Sequence, residues 1–231
     1  MKNIFLMIKK KWVLFFVVIA MVVPLVAGVF VASRASAPKS TPVIVIDAGH
    51  GGKDGGAVGR TTDVTESSLN LEYAKTLKNI CEEFGYKVVM TRSDMGGLYS
   101  PFAQNKKRSE MEKREQIIQG SNADLVVSMH MNSFSSSEAR GAQVYYAEGS
   151  QAGEELASSV QTSLNASVDY AKKTSKVGDF YVLNCTQTPS ILVECGFLSN
   201  PEEELLLQQE EYRNDFCYHL FCGILKYMNF N

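Results

Sequence analysis

Four side chains in this sequence have the chemistry of a hydrolytic metal site: His50, Glu66, His130 and Glu194. Two imidazoles and a carboxylate are a common catalytic zinc set that leaves the fourth coordination position for water, and a second carboxylate can take up the proton that an attacking water loses. Their spacings of 16, 64 and 64 residues form no local motif of the His-Glu-x-x-His kind, so only the fold can bring them together. Each also has a plainer meaning. His50 alone reads as a loop imidazole satisfying a hydrogen bond, and Glu66 in the first turn of a helix is favoured there by the helix dipole. Glu194, within Ile-Leu-Val-Glu-Cys-Gly-Phe, is harder to dismiss, because a carboxylate in an apolar strand is costly unless it is paired or functional.

The elements that must position these groups are legible in the hydrophobic pattern. Val43–Ala48 reads as a strand buried on both faces, and Gly49 opens a run with further glycines at 51, 52, 55, 56 and 59 that ends it. No Ser or Thr follows Lys53, so this is not a phosphate loop. Leu69, Tyr73, Leu77, Cys81 and Phe84 keep helical spacing, with Thr65 or Asp63 as the expected cap and Gly85 as the stop. Tyr86–Thr91 predicts a second strand, and Ser109-Glu110-Met111-Glu112 has the form of a capping box opening a helix to Gln119. Asp124–Met131 predicts the strand that delivers His130, and Gly141–Ala147 a fourth. A helix over Gln151–Ala166, strands over Asp179–Asn184 and Ser190–Cys195, a helix start at Asn200-Pro201 and a last helix over Tyr212–Tyr227 complete the chain. His219 lies beside the apolar stripe of that last helix and reads as structural. Arg92 and Asp94 read as a local ion pair, and Lys106, Lys107, Arg108, Lys113 and Arg114 as a solvated helix entry, or else as a contact for the carboxylates of a substrate or for a partner protein.

Six strands interleaved with helices predict a three-layer α/β domain around one six-stranded sheet, mostly parallel or mixed, with the Asp124–Ala147 pair antiparallel. In open sheets of this class ligands collect beyond the carboxyl ends of the strands, where His50, His130 and Glu194 all fall. Asn132, just after the third strand, reads as a turn residue or a substrate contact.

The N-terminus is a separate unit. Residues 1–37 comprise Lys9-Lys10-Lys11, an uncharged run from Trp12 to Ala32, and Arg34 before Ala35-Ser36-Ala37. That is the layout of an export signal, and the 21-residue run is also long enough to anchor the chain in a membrane. Both readings place a linker, 38–42, and a domain over 43–231 outside the cytoplasm. The whole chain has 23 basic and 25 acidic residues, but the leading segment holds five of the bases and no acid, so the exported part has a net charge of −7. This argues against nucleic acid as a partner. At 231 residues and 45% hydrophobic overall, the chain is long enough to bury one core once its N-terminal segment is set aside. Five cysteines without Cys-x-x-Cys spacing indicate neither a disulfide framework nor a thiolate zinc site, and Cys81, Cys195, Cys217 and Cys222 read as small apolar residues.

Asp47-Ala48-Gly49-His50-Gly51-Gly52-x-Asp54-x-Gly56-Ala57, then Glu66, then Ser128-Met129-His130-Met131-Asn132-Ser133, then Val193-Glu194-Cys195-Gly196-Phe197-Leu198-Ser199-Asn200 resemble the zinc-dependent N-acetylmuramoyl-L-alanine amidases, motif by motif and in order. The resemblance implies a zinc hydrolase that cuts the amide between the lactyl group of N-acetylmuramic acid and L-alanine of the peptidoglycan stem peptide. It implies one Zn2+ held by His50, Glu66 and His130, with Glu194 as general base and acid. Cys195 stands where the family usually has Val. The short form, with an N-terminal apolar segment and no wall-binding repeats, is similar to the sporulation branch that prepares spore-cortex peptidoglycan, which implies a place at the forespore surface and targeting by the anchor or a partner protein. Two alternatives stand beside this: another wall metallohydrolase, either a stem peptidase or a sugar deacetylase, and a catalytically silent wall-binding or regulatory protein.

Overall fold

The computed structural model describes residues 41–167 and 172–230, so the readings made of the first 40 residues fall outside the described residues. No described helix is long and apolar enough to cross a membrane. The elements are β1 (Val43–Ala48), α1 (Glu66–Glu83), β2 (Lys87–Met90), α2 (Lys106–Gly120), β3 (Leu125–Asn132), β4 (Gln143–Tyr146), α3 (Gln151–Ser167), β5 (Lys176–Val177), α4 (Tyr181–Asn184), β6 (Ser190–Phe197), α5 (Pro201–Leu207) and α6 (Glu210–Phe230).

The strands form one sheet in the order β2-β1-β3-β6-β4-β5. Every pairing is parallel except β4 on β6. The predicted mixed six-stranded α/β sheet is therefore present, with two corrections. The chain does not fold β4 back onto β3, because β6 inserts between them. The sixth strand is the exposed dipeptide Lys176–Val177, and the expected strand over Asp179–Asn184 is instead a helical turn. Val182 and Leu183 are buried side by side while Tyr181 is exposed, which a period of two cannot produce.

Alternation along the strands splits the interior in two. Ile44, Ile46, Leu125, Val127, Met129, Ile191 and Val193 face a thick core closed by Leu69, Tyr73 and Leu77 of α1, Leu156 and Val160 of α3, and Phe216, Leu220 and Ile224 of α6. Cys81, Cys195 and Cys217 are wholly buried there, as their apolar contexts predicted. Val45, Val126 and Leu192 face a thinner core under Ile118 of α2 and Val182 and Leu183 of α4. Asp47, Ser128, His130 and Glu194 share the alternation of this thinner side.

Helix ends follow local chemistry. Gly85, at φ +84°, donates to the Glu82 carbonyl and turns the chain away from α1, as expected of a C′ glycine. Asn200 caps α5 by accepting from the N–H groups of Glu202 and Glu203, ahead of Pro201. Helix α2 differs from expectation: it starts at Lys106, capped by the Asn105 side chain, and the Ser109 hydroxyl instead accepts from the Ser100 N–H.

Candidate metal centre

The carboxyl ends of β1, β3 and β6 meet at one point. His130 pairs in register with Glu194 across β3 and β6, and the register then shifts before Asn132 reaches Phe197. Such an irregularity bends the strand end and redirects its last side chains. His50 follows β1 with φ +59°, a left-handed conformation uncommon outside glycine, and the next two residues are glycines at φ +133° and +62°. Gly49 is needed for a different reason: a Cβ there would stand 2.3 Å from the His130 ring. Glu66 opens α1 and is 5% exposed.

His50, Glu66 and His130 offer ligand atoms that all lie within 4.8 Å of one another. Glu66 Oε1 is the centre of the group, 3.1 Å from His50 Nε2 and 2.9 Å from His130 Nδ1. The same oxygen accepts from Asn70 Nδ2 and the Met131 N–H, and Oε2 accepts from the Ala57 N–H at 2.9 Å. Burial opposes charge on Glu66, but the two imidazoles outweigh it and hold the carboxyl well below the usual range. Burial likewise opposes protonation of His50, and Glu66 with Asp54 overcomes it and raises that pKa. Asp54 Oδ1 lies 2.9 Å from His50 Nδ1 and Oδ2 2.6 Å from Lys107. A carboxylate behind the distal nitrogen of an imidazole fixes its orientation, the arrangement found behind metal-binding histidines.

Glu194 stands apart from this cluster's hydrogen bonds. Its Oε2 is buried and has no hydrogen-bond partner among the described residues. Burial is the main reason its pKa rises to about 7, opposed by His130 and assisted by the negative charge of Glu66. Two imidazole nitrogens and one carboxylate oxygen are donors of zinc type, and both nitrogens lie about 3 Å from the oxygen, as ligands of one ion must lie close together. The orphaned oxygen beside them is suited to a proton in transit. The residues fit the metal.

Two arginines, Arg114 and Arg92, hold the turn carrying His50. Arg114 is 2% exposed, not part of a solvated face. It pairs with Asp47 and with Glu110 at 2.6 Å, and donates to the carbonyls of Ala48 and His50. Arg92 is buried as well, and its contact with Asp94 is to the backbone carbonyl rather than an ion pair. Its other donors reach the carbonyls of Ala48, Gly49 and Ser67. Asp47 also accepts from Thr91 and Ser128, and although burial opposes its charge, Arg114 and these hydroxyls bring its pKa to about 2. The clue was an acid ending an otherwise apolar strand, which requires a buried cation or donors. His219, as expected, is elsewhere, 3.8 Å from Asp215 on α6.

The four groups line a cleft of about 550 Å³ with Met111, Asn132, Phe180 and Tyr181. Asn132 uses Oδ1 to accept from the Ser133 N–H, so it serves its turn while lining the cleft.

Residues 44–226 match the N-acetylmuramoyl-L-alanine amidase family. The chain is 32% identical over 196 residues to the germination-specific N-acetylmuramoyl-L-alanine amidase of Bacillus subtilis, spanning 83% of this chain and 82% of that protein. It resembles the CwlD amidase of Clostridioides difficile, solved in complex with the GerS lipoprotein, with a TM-score of 0.80 and 35% identity over 83% of this chain and all of that one. The catalytic domain of CwlV from Paenibacillus polymyxa var. colistinus superposes with a TM-score of 0.73 and 31% identity, again over 83% of this chain and all of that one.

Proposed function

Because the chain belongs to the N-acetylmuramoyl-L-alanine amidase family, we propose that it hydrolyses the amide between muramic acid and L-alanine in peptidoglycan as a zinc enzyme. The observation that carries the reading is the meeting of His50, Glu66 and His130 beside a carboxylate with an unpartnered oxygen. His50 Nε2, Glu66 Oε1 and His130 Nδ1 would hold the ion. When bound, zinc supplies a Lewis acid that polarises the scissile carbonyl and makes a water acidic enough to attack near neutral pH. Glu194 would serve as the base that accepts a proton from the attacking water and as the acid that returns it to the departing alanine nitrogen. A carboxyl whose pKa is near 7 can do both, and the positive charge of a bound ion favours its ionised, base-competent form. Asp54 keeps the His50 ring oriented, and Asn132 at the cleft wall is placed to contact substrate.

The likeness to a germination-specific amidase and to CwlD supports a cortex role in the spore wall. The basic and apolar N-terminus supports export or anchoring of a domain over 43–231 at the outer membrane face, and the GerS complex of the relative supports a protein partner for targeting.

The test is Glu194→Gln. The variant retains stoichiometric zinc and releases no stem peptide from muropeptides, while the unsubstituted chain leaves intact muramic acid with a free lactyl carboxylate by mass spectrometry. A stem peptidase or sugar deacetylase gives different masses, and full activity of the variant removes Glu194 from its role.

A further inference from the structure

Beside the metal cleft, and sharing Asn132 with it, lies a second cleft of about 580 Å³. Its walls carry Lys172, Lys173 and Lys176 with Tyr145 and Phe197, and none of its lining residues among the described residues is acidic. Three of the bases of an otherwise acidic domain thus stand within five residues, Lys172-Lys173-Thr174-Ser175-Lys176.

This run is fixed in place. Asn165 accepts from the Lys173 N–H and donates to the Lys173 carbonyl, the buried Gln143 donates to the Thr174 carbonyl at 2.7 Å, and Lys176 pairs in register with Tyr145. The Lys173 ammonium donates to the Gly141 carbonyl and sits 4.5 Å from the centre of the Phe197 ring. Burial lowers its pKa, and Glu203 and Glu194 oppose that. Glu203 is engaged with the N–H groups of Gly141 and Phe197. Lys172 and Lys176 are exposed and make no ion pair among the described residues. A half-buried cation with two free ones beside it, joined to the reaction cleft through one shared residue, is an anion subsite.

We propose that this cleft binds a free carboxylate on the peptide side of the scissile amide. The inference rests on the amidase reading, in which one side of the bond is a neutral sugar and the other a peptide whose second residue, a γ-linked glutamate, keeps its α-carboxylate free. The peptide then runs over β4 and β5, whose residues line this cleft.

The experiment is calorimetric binding of L-alanyl-γ-D-glutamyl peptide, with its α-carboxylate free or amidated, to the full chain and to a Lys172→Ala/Lys176→Ala double variant. Zinc content and melting temperature are matched beforehand. The free-acid peptide binds the double variant about tenfold more weakly, the amidated peptide binds both proteins alike, and a Lys172→Arg/Lys176→Arg variant restores the difference. Equal binding of the two peptides by the unsubstituted chain, or equal loss of both in the double variant, overturns the subsite. Because the readout is binding, failure of the chain to hydrolyse muropeptides removes the amidase reading without deciding this comparison.

Discussion

Glu194 occupies surroundings that work against its own charge, and this has a measurable sign. In the metal-free chain its folded pKa is about 7 against an ordinary value of 4.5, so the folded state holds this proton more tightly than the unfolded one. The penalty is absent below about pH 4.5, develops as pH rises, and is complete above about pH 7. Glu194→Gln, which cannot ionise, therefore melts higher than the unsubstituted chain at pH 8 when both are stripped by chelator, and the gap closes towards pH 4.5. A gap independent of pH would show that the carboxylate is not buried against its charge. This tension was visible in sequence, since an acid in the run Ile-Leu-Val-Glu-Cys stands out, and His50 and His130 were visible as strand-end residues. Asp54 was not assigned its role. The turn that brings it to within 2.9 Å of His50 Nδ1 depends on glycines at φ +133°, +62° and +68°, conformations that spacing does not specify.

Between elements, α2 is tied to β1 by the buried pair of Arg114 and Asp47. Burying such a pair is not itself a large source of stability, but removing one partner strands the other. Arg114→Met leaves Asp47 buried without its cation and the His50 carbonyl without a donor, and is expected to cost roughly 3–5 kcal/mol in urea unfolding. Loss below about 1 kcal/mol would mean that Thr91 and Ser128 suffice for Asp47. Most elements were legible because their apolar periods are clean, as in the Val43–Ala48 run and the Leu69–Tyr73–Leu77 stripe. Two were misread for definite reasons. Tyr181–Asn184 is too short to show a helical period, and Lys176–Val177 is an edge pair exposed on both residues, held by register with β4 rather than by burial. The position of β6 between β3 and β4 is a matter of long-range pairing, on which local pattern is silent.

For the molecule as a whole, metal and fold should be linked, because zinc that binds only the folded chain adds to its stability. At a free zinc concentration about a hundred times its dissociation constant the gain is about 2.7 kcal/mol, which for a domain of this size raises the melting midpoint by roughly 5–10 °C. The segment from Thr41 onward should show this shift, and His50→Ala should abolish it. A shift retained in that variant would place the ion elsewhere. The three-layer architecture was the most readable level, since alternation of strands and helices constrains it more than any single residue does. Its two sides are unequal: α1, α3 and α6 close the thick core, while His130 and Glu194 point to the thinner side under α2 and α4, and Glu66 reaches them from the first turn of α1. The larger apolar core thus lies on the face of the sheet away from His130 and Glu194. Lys172 and Lys176 are exposed, so their side chains can be exchanged for other chemistries with little loss of stability while the core beneath is unchanged.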